Sequence, residues 1–136
     1  MAPTQRTPSD IRRAALLFSG GPAPSANAVI STCAGSFLRN DIDVVGCLYG
    51  YSNLINYSPS TPLVLGKHYL TIDETSLKRT RNTQGILIGT ARANPGKHVD
   101  SPDHLNDPER VKPLRTVYEA LCSLEVDALE IGRAHV

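Results

Sequence analysis

Two short segments of this chain carry residue types that could handle a phosphate. The first, Ser19-Gly20-Gly21-Pro22-Ala23-Pro24-Ser25-Ala26-Asn27, lies between an apolar run and a helical pattern. Two consecutive glycines permit a tight turn and a close backbone approach to a ligand. The N–H groups that open the following helix have no partners inside it and favour an anion. The segment matches neither GxGxxG nor GxxxxGK[ST], so a phosphate cradle and a plain strand-to-helix turn both stay open. The second segment is Gly89-Thr90-Ala91-Arg92. A guanidinium at Arg92 could fork two phosphate oxygens and offset charge as a phosphoryl group moves, or simply stand solvated at a strand end. Both segments end expected strands on one edge of one sheet. In open α/β sheets that edge is where ligands bind.

The other chemistry-bearing residues point elsewhere. Cys33, Cys47 and Cys122 are odd in number, have no CxxC spacing and sit among apolar neighbours. His68, His98, His104 and His135 form no HxxH or HExxH pair with one another. We therefore expect small buried thiols in a reduced, cytoplasmic protein, with no metal site and no disulfide.

The elements that must hold the two segments can be read from periodicity. Arg13 to Phe18 is a short apolar run, long enough for a buried strand. A helix follows, with Ser25 as N-cap and Val29, Ile30, Cys33, Phe37 and Leu38 on one face. Asp43 to Leu48 reads as a second strand, and the stretch up to Thr83 as loop-rich with a short helix capped by Asp73. Gly85 to Thr90 is a third strand candidate, and Ala93 to Asp107 a polar loop. Asp107-Pro108-Glu109 opens the clearest helix, with Asp at the N-cap, Pro at N1 and an acid in the first turn. Its expected apolar stripe is Val111, Leu114, Tyr118, Leu121 and Leu124, and Asp127 begins another strand. This alternation predicts an α/β fold, a Rossmann-like parallel sheet with flanking helices.

Composition sets the outer bounds. At 136 residues there is room for one ordinary domain. Fourteen basic and 13 acidic residues leave a net charge of +1, which provides no electrostatic reason for a nucleic-acid or anionic-membrane partner. No apolar run is long enough to span a bilayer, and the N-terminus has no signal-peptide pattern.

In order along the chain, four segments resemble the amino-terminal part of the phosphofructokinase family. Gly20-Gly21-Pro22-Ala23-Pro24-Ser25-Ala26-Asn27 is similar to the family's GG-x-A-P-G-x-N turn. VVGCLYGYSNL (residues 44–54) resembles the strand that leads into its G-[YF]-x-x-L helix. RNTQGILIGTARANP (residues 81–95) resembles its G-G-x-x-L-G-[ST]-[AS]-R segment. LEVDAL (residues 124–129) is similar to its G-[IV]-D-A-L. The resemblance implies phosphoryl transfer from ATP or pyrophosphate, with Mg²⁺, to the 1-hydroxyl of fructose 6-phosphate in glycolysis. It further implies that Gly21 presents its N–H to the donor phosphates while Gly20 shapes the turn. Arg92 would contact the donor and steady transition-state charge, and the backbone at Ala93 would line the donor pocket. Residues 50–56 would flank that pocket. Family members assemble as homodimers or homotetramers.

Departures from the family pattern bear on the donor. Pro22 stands where many ATP-using members have Asp, and Ser25 where the turn usually has Gly. A proline there resembles pyrophosphate-using and related long-type members. Thr71-Ile72-Asp73 spells the TID of the family's catalytic-base loop, but it lies upstream of the Arg92 segment, whereas the family's loop lies well downstream. Asp73 is therefore expected to cap a helix.

The last six residues, Ile131 to Val136, match in translation ATC GGA AGA GCA CAC GTC, the start of a widely used sequencing adapter, and its two preceding bases, AG, would complete a Glu codon at residue 130. We expect residues 1–10 to be a flexible tail, residues 11–129 to be part of a phosphofructokinase amino-terminal α/β domain, and residues 130–136 to be a non-native tail. On that expectation the family's metal-binding Asp and catalytic base are missing, and the chain is inactive as written. The alternative is a stand-alone phosphate- or nucleotide-binding α/β module without catalysis.

Overall fold

Residues Arg13–Ser19 form strand β1, buried on both sides through Phe18. Leu16 and Phe18 point to one face of the sheet, Ala15 and Leu17 to the other. A strand covered on both faces has no polar side to display, which is why the run is continuously apolar. The computed structural model describes residues 11–20, 26–80 and 88–133. The expected tail at residues 1–10, the cap at Ser25 and the last three residues lie outside these.

After β1 come α1 (Ala26–Arg39), β2 (Asp43–Cys47), β3 (Tyr69–Ile72), α2 (Glu74–Thr80), α3 (Pro108–Ser123) and β4 (Ala128–Arg133). The strand order is β3-β2-β1-β4. β1 runs parallel to β2, with Ala14 opposite Val44, and parallel to β4, with Leu17 opposite Ile131. β3 pairs antiparallel with β2, with Val44 opposite Ile72. The sheet is thus mixed, and the expectation of a parallel sheet is corrected at β3. No α-helix separates β2 from β3, only a short 3₁₀ turn at Leu54–Asn56. The chain returns through a turn at Val64–His68, and an antiparallel neighbour needs no helical crossover.

Helices cover both faces. On one, α1 sets Ala26, Ile30 and Ala34 against Leu16, Phe18, Val44, Ile72 and Ile88, with Leu77 of α2 alongside. On the other, Val117 and Ala120 of α3 meet Ala15, Leu17, Cys47 and Leu54. Full burial of each large aliphatic here, such as Leu17 or Ile30, contributes about 1.5–3 kcal/mol. Most of each expected stripe faces the core, Ile30, Cys33, Phe37 and Leu38 from α1 and Leu121 and Leu124 from α3, but one residue of each turns outward. Val29 is 41% exposed and Tyr118 68% exposed, because the small residues Ala26, Ala34 and Ala120 are the ones that let the helices sit close to the sheet.

α1 and α3 end alike. Ile42 N–H donates to Phe37 O and Asp41 N–H to Leu38 O, with Asp41 at φ 58°. Val126 N–H donates to Leu121 O and Glu125 N–H to Cys122 O, with Glu125 at φ 57°. Each is a Schellman closure with a non-glycine residue in the left-handed position, and each delivers the chain directly into the next strand. Two caps follow expectation. Asp107 accepts from Glu109 N–H at 3.0 Å at the start of α3, and Asp73 accepts from Ser76 N–H at 2.8 Å at the start of α2.

The third expected strand is not seen in its described part. Residues 85–87 lie outside the described residues, and Gly89 at φ 65° turns the chain out of the extended region. Only Ala91 pairs, as an isolated parallel bridge to Ser19.

Candidate functional site

Three segments meet where β1 and β2 end. At the end of β1, Gly20 adopts φ 111° and donates its N–H to Ala91 O at 2.9 Å. Thr90 Oγ1 donates back to Gly20 O at 2.9 Å, with Phe18 O at 3.2 Å sharing the proton. Both polar backbone groups of Gly20 are therefore held by the pair Thr90-Ala91. At the end of β2, Tyr49 N–H donates to Ile88 O at 2.9 Å, which ties the same segment to the neighbouring strand.

Glycine is required at two places in this junction. A Cβ on Gly50, at φ 61°, would lie 2.6 Å from Phe18 O and 3.4 Å from Ala91 N. A Cβ on Gly89 would lie 2.8 Å from the Tyr49 ring. The backbones pack too closely for side chains there. Tyr49 itself sits at φ 57° with 57% of its surface exposed. A left-handed aromatic residue is uncommon outside strained or functional positions.

The expected site residues are placed as follows. Gly20 and Arg92 are brought to the same edge by the Ser19–Ala91 bridge. Arg92 is exposed and, among the described residues, makes no hydrogen bond or ion pair. Ala93 follows it, half-buried. Gly21 lies outside the described residues. Residues 50–56 do flank the junction: Asn53 Nδ2 donates to Leu48 O at 3.1 Å, and Leu54, in a 3₁₀ turn over Leu54–Asn56, is buried against the α3 side of the core. Two residues were not singled out in the sequence, Thr90 and Tyr49. A threonine's partners 70 residues away leave no local signal.

The edge supplies backbone N–H groups, hydroxyls and one unpaired guanidinium. On three of its segments no carboxylate or imidazole occurs: neither Ser19–Ala26, Tyr49–Asn56 nor the stretch from residue 81 to Ala93 contains an Asp, Glu or His. Asp73 is occupied as a cap, its carboxyl held below the ordinary range chiefly by the backbone N–H and then the hydroxyl of Ser76. No group of three His, Cys, Asp or Glu among the described residues could hold a metal ion. The thiols differ from expectation in one respect. Cys47 is buried, and burial pushes it up to about 12, whereas Cys122 is exposed on α3. Cys33 is half-buried, also raised by burial first and then by the charge of Glu130.

A hollow lies at the opposite end of the strands. About 540 Å³ in volume, it is lined by Arg12, Arg13, Asp43, Cys122, Glu125, Val126 and Asp127. Several of its polar groups are already engaged. Asp127 Oδ2 accepts from Arg12 N–H at 2.9 Å and Arg13 N–H at 3.1 Å, and Arg13 Nη1 donates to Leu124 O at 2.7 Å. This fastens the start of β1 to β4, and the Asp of the Val-Asp-Ala-Leu segment is a structural clamp.

The phosphofructokinase family model matches residues 13–131. Over 91 residues the chain is 36% identical to a pyrophosphate–fructose 6-phosphate 1-phosphotransferase of Naegleria fowleri, covering 67% of this chain and 19% of that protein. Over 89 residues it is 33% identical to the enzyme of the same name from Thermotoga maritima, covering 65% of this chain and 20% of that protein. The chain thus spans about a fifth of the length of these curated relatives. Among solved structures, phosphofructokinase from Saccharomyces cerevisiae superposes with a TM-score of 0.61 at 23% identity, covering 88% of this chain and 13% of that one. Pichia pastoris phosphofructokinase in the T-state superposes with a TM-score of 0.65 at 18% identity, covering 96% and 12%. These two likenesses bear on the fold.

Proposed function

The chain belongs to the phosphofructokinase family, and from that premise we propose that its carboxyl edge is the phosphoryl-donor half of a fructose 6-phosphate 1-phosphotransferase site. The observation that carries this reading is the interlocking of Gly20 with Thr90-Ala91, which sets a glycine turn and an unpaired Arg92 on one edge. A phosphate there would meet the backbone N–H that the resemblance assigns to Gly21, since that of Gly20 is committed to Ala91 O. It would also meet a guanidinium able to bind two oxygens at once. Arg92 would then offset the charge that spreads over the equatorial oxygens during transfer. The backbone at Ala93 would line the pocket.

Pyrophosphate is the donor we favour. The two curated relatives are named for it, and Pro22 replaces the Asp of many ATP-using members. Mg²⁺ belongs to the family's chemistry, but the described residues do not offer a set of ligands for it, so no step is derived through it. With no carboxylate or imidazole of their own, the three segments can bind and polarise a donor but do not deprotonate the sugar hydroxyl. On this reading the 136-residue chain is a binding half without turnover. A role in glycolysis, a cytoplasmic location and assembly as a homodimer or homotetramer belong to the same reading. Among the described residues no helix is long and apolar enough to cross a membrane.

Titration calorimetry of the purified chain with pyrophosphate and with ATP tests this. Pyrophosphate should bind, and Arg92→Ala should weaken it about ten- to a hundredfold without lowering the melting temperature. Equal binding by wild type and variant, or fructose 1,6-bisphosphate formation by the chain alone, would sink the proposal.

A further inference from the structure

We infer that the loop between Arg92 and α3 is closed by an acid-released latch, in which neutral His104 accepts a backbone proton that an imidazolium cannot accept. The loop makes a 3₁₀ turn at Pro102–Asn106, and His104 lies half-buried within it. Its Nδ1 accepts from Asp100 N–H at 3.0 Å and lies 3.4 Å from Nη1 of Arg110 on α3. A backbone amide and a guanidinium are donors only. In this arrangement Nδ1 is therefore bare, and the neutral ring carries its proton on Nε2.

Arg110 ties the surrounding pieces to the same ring. Its Nη1 also donates to His98 O at 3.1 Å, and its Nε lies 3.4 Å from Asp107 Oδ2. Asp107 caps α3 through Glu109 N–H and donates its own N–H to His104 O at 3.1 Å. The middle of the loop, the 3₁₀ turn and the helix start thus meet at one imidazole and one guanidinium.

An imidazolium has N–H on both ring nitrogens and no acceptor, so turning the ring cannot restore the bond. On protonation Asp100 N–H loses its partner, and two cations stand 3.4 Å apart where a donor and an acceptor stood. The charged and titratable groups on the segments packed here are Lys97, His98, Asp100, Asp103, Asp107, Glu109 and Arg110. The carboxylates attract an imidazolium and the cations repel it, but neither kind gives the ring back an acceptor. Histidine takes up its proton close to neutral pH, so the latch is closed in mild alkali and open in mild acid. No residue from 93 to 107 belongs to either described core cluster, so the loop can open while the sheet stays folded.

The test is an NMR titration of the 136-residue chain from pH 8 to pH 5. At pH 8 the imidazole nitrogens of His104 should report a bare Nδ1 and a protonated Nε2. Exchange protection of the Asp100 amide, corrected for the intrinsic pH dependence of exchange, should fall about fivefold as the ring takes its proton. His104→Asn, which keeps a side-chain acceptor that does not titrate, should hold that protection level across the range. His104→Phe should show the low protection at every pH. A proton on Nδ1 at pH 8 overturns the inference. So does protection that ignores the titration of His104, or a fall with pH that persists in His104→Asn.

Discussion

The two ends of the parallel strands use the same residue types for opposite purposes. At the amino end, Arg12, Arg13 and Asp127 face a wide hollow, yet the backbone N–H groups of both arginines are spent on Asp127 and the Arg13 guanidinium on Leu124 O. At the carboxyl end Arg92 has no partner among the described residues, and the glycines let backbone segments pack closely. A hollow by itself therefore does not mark the binding edge. What distinguishes a binding edge is polar capacity left unused, together with backbone close enough to meet a ligand. The clamp at the amino end fastens β1 to β4, and this leaves the opposite ends of the strands free to carry loops.

Three substitutions test this contrast. The largest effect is expected from Gly50→Ala at the carboxyl junction. A left-handed φ and a contact of 2.6 Å with Phe18 O leave no room for a methyl, and chemical unfolding should show a loss of about 2–4 kcal/mol. A loss below about 1 kcal/mol would mean the junction is not closely packed. Next is Arg13→Ala, which removes the half-buried bond to Leu124 O. It should cost about 1–2 kcal/mol in unfolding while leaving pyrophosphate titration unchanged. A fall in pyrophosphate affinity with intact stability would break the contrast, because it would put a ligand at the amino end.

The smallest effect is electrostatic. Backbone N–H groups of Arg12 and Arg13, and then their charges, hold the Asp127 carboxyl below the ordinary range. A depressed folded value means that its contribution is fully present above the ordinary carboxylate range. The contribution is lost as pH falls through the folded value, since the unfolded chain takes up the proton first. Asp127→Asn should therefore be less stable than wild type at neutral pH, with the gap closing in acid. Denaturant midpoints across pH 7 to pH 3 would check this, and a gap that widened in acid would contradict it.

Some of this architecture could be read directly from residues. The continuous apolar runs at β1 and β2 had no polar face to offer solvent, so they could only be buried strands. Asp107-Pro108 announced α3 through cap chemistry that acts within one turn. Helix phase was harder. Val29 and Tyr118 are apolar enough to belong in a core, but alanines set the closest approach to the sheet and displaced them outward. β3 was missed because four residues, Tyr69 to Ile72, carry little periodicity, and their strand exists only through pairing with β2.

For the site, residue types alone determined that Gly20 and Arg92 could serve a phosphate, since glycine's torsional freedom and the guanidinium's fork are properties of single residues. They also determined that no carboxylate or imidazole lies on the segments that meet there. Only the tertiary structure decided that Thr90 and Ala91 hold Gly20, that Tyr49 lies over Gly89, and that Asp127 clamps β1 rather than binding a ligand. Those contacts join residues about 40 to 115 positions apart. A hydrogen bond of that span depends on how strands are ordered in the sheet, and strand order is a property of the packed chain.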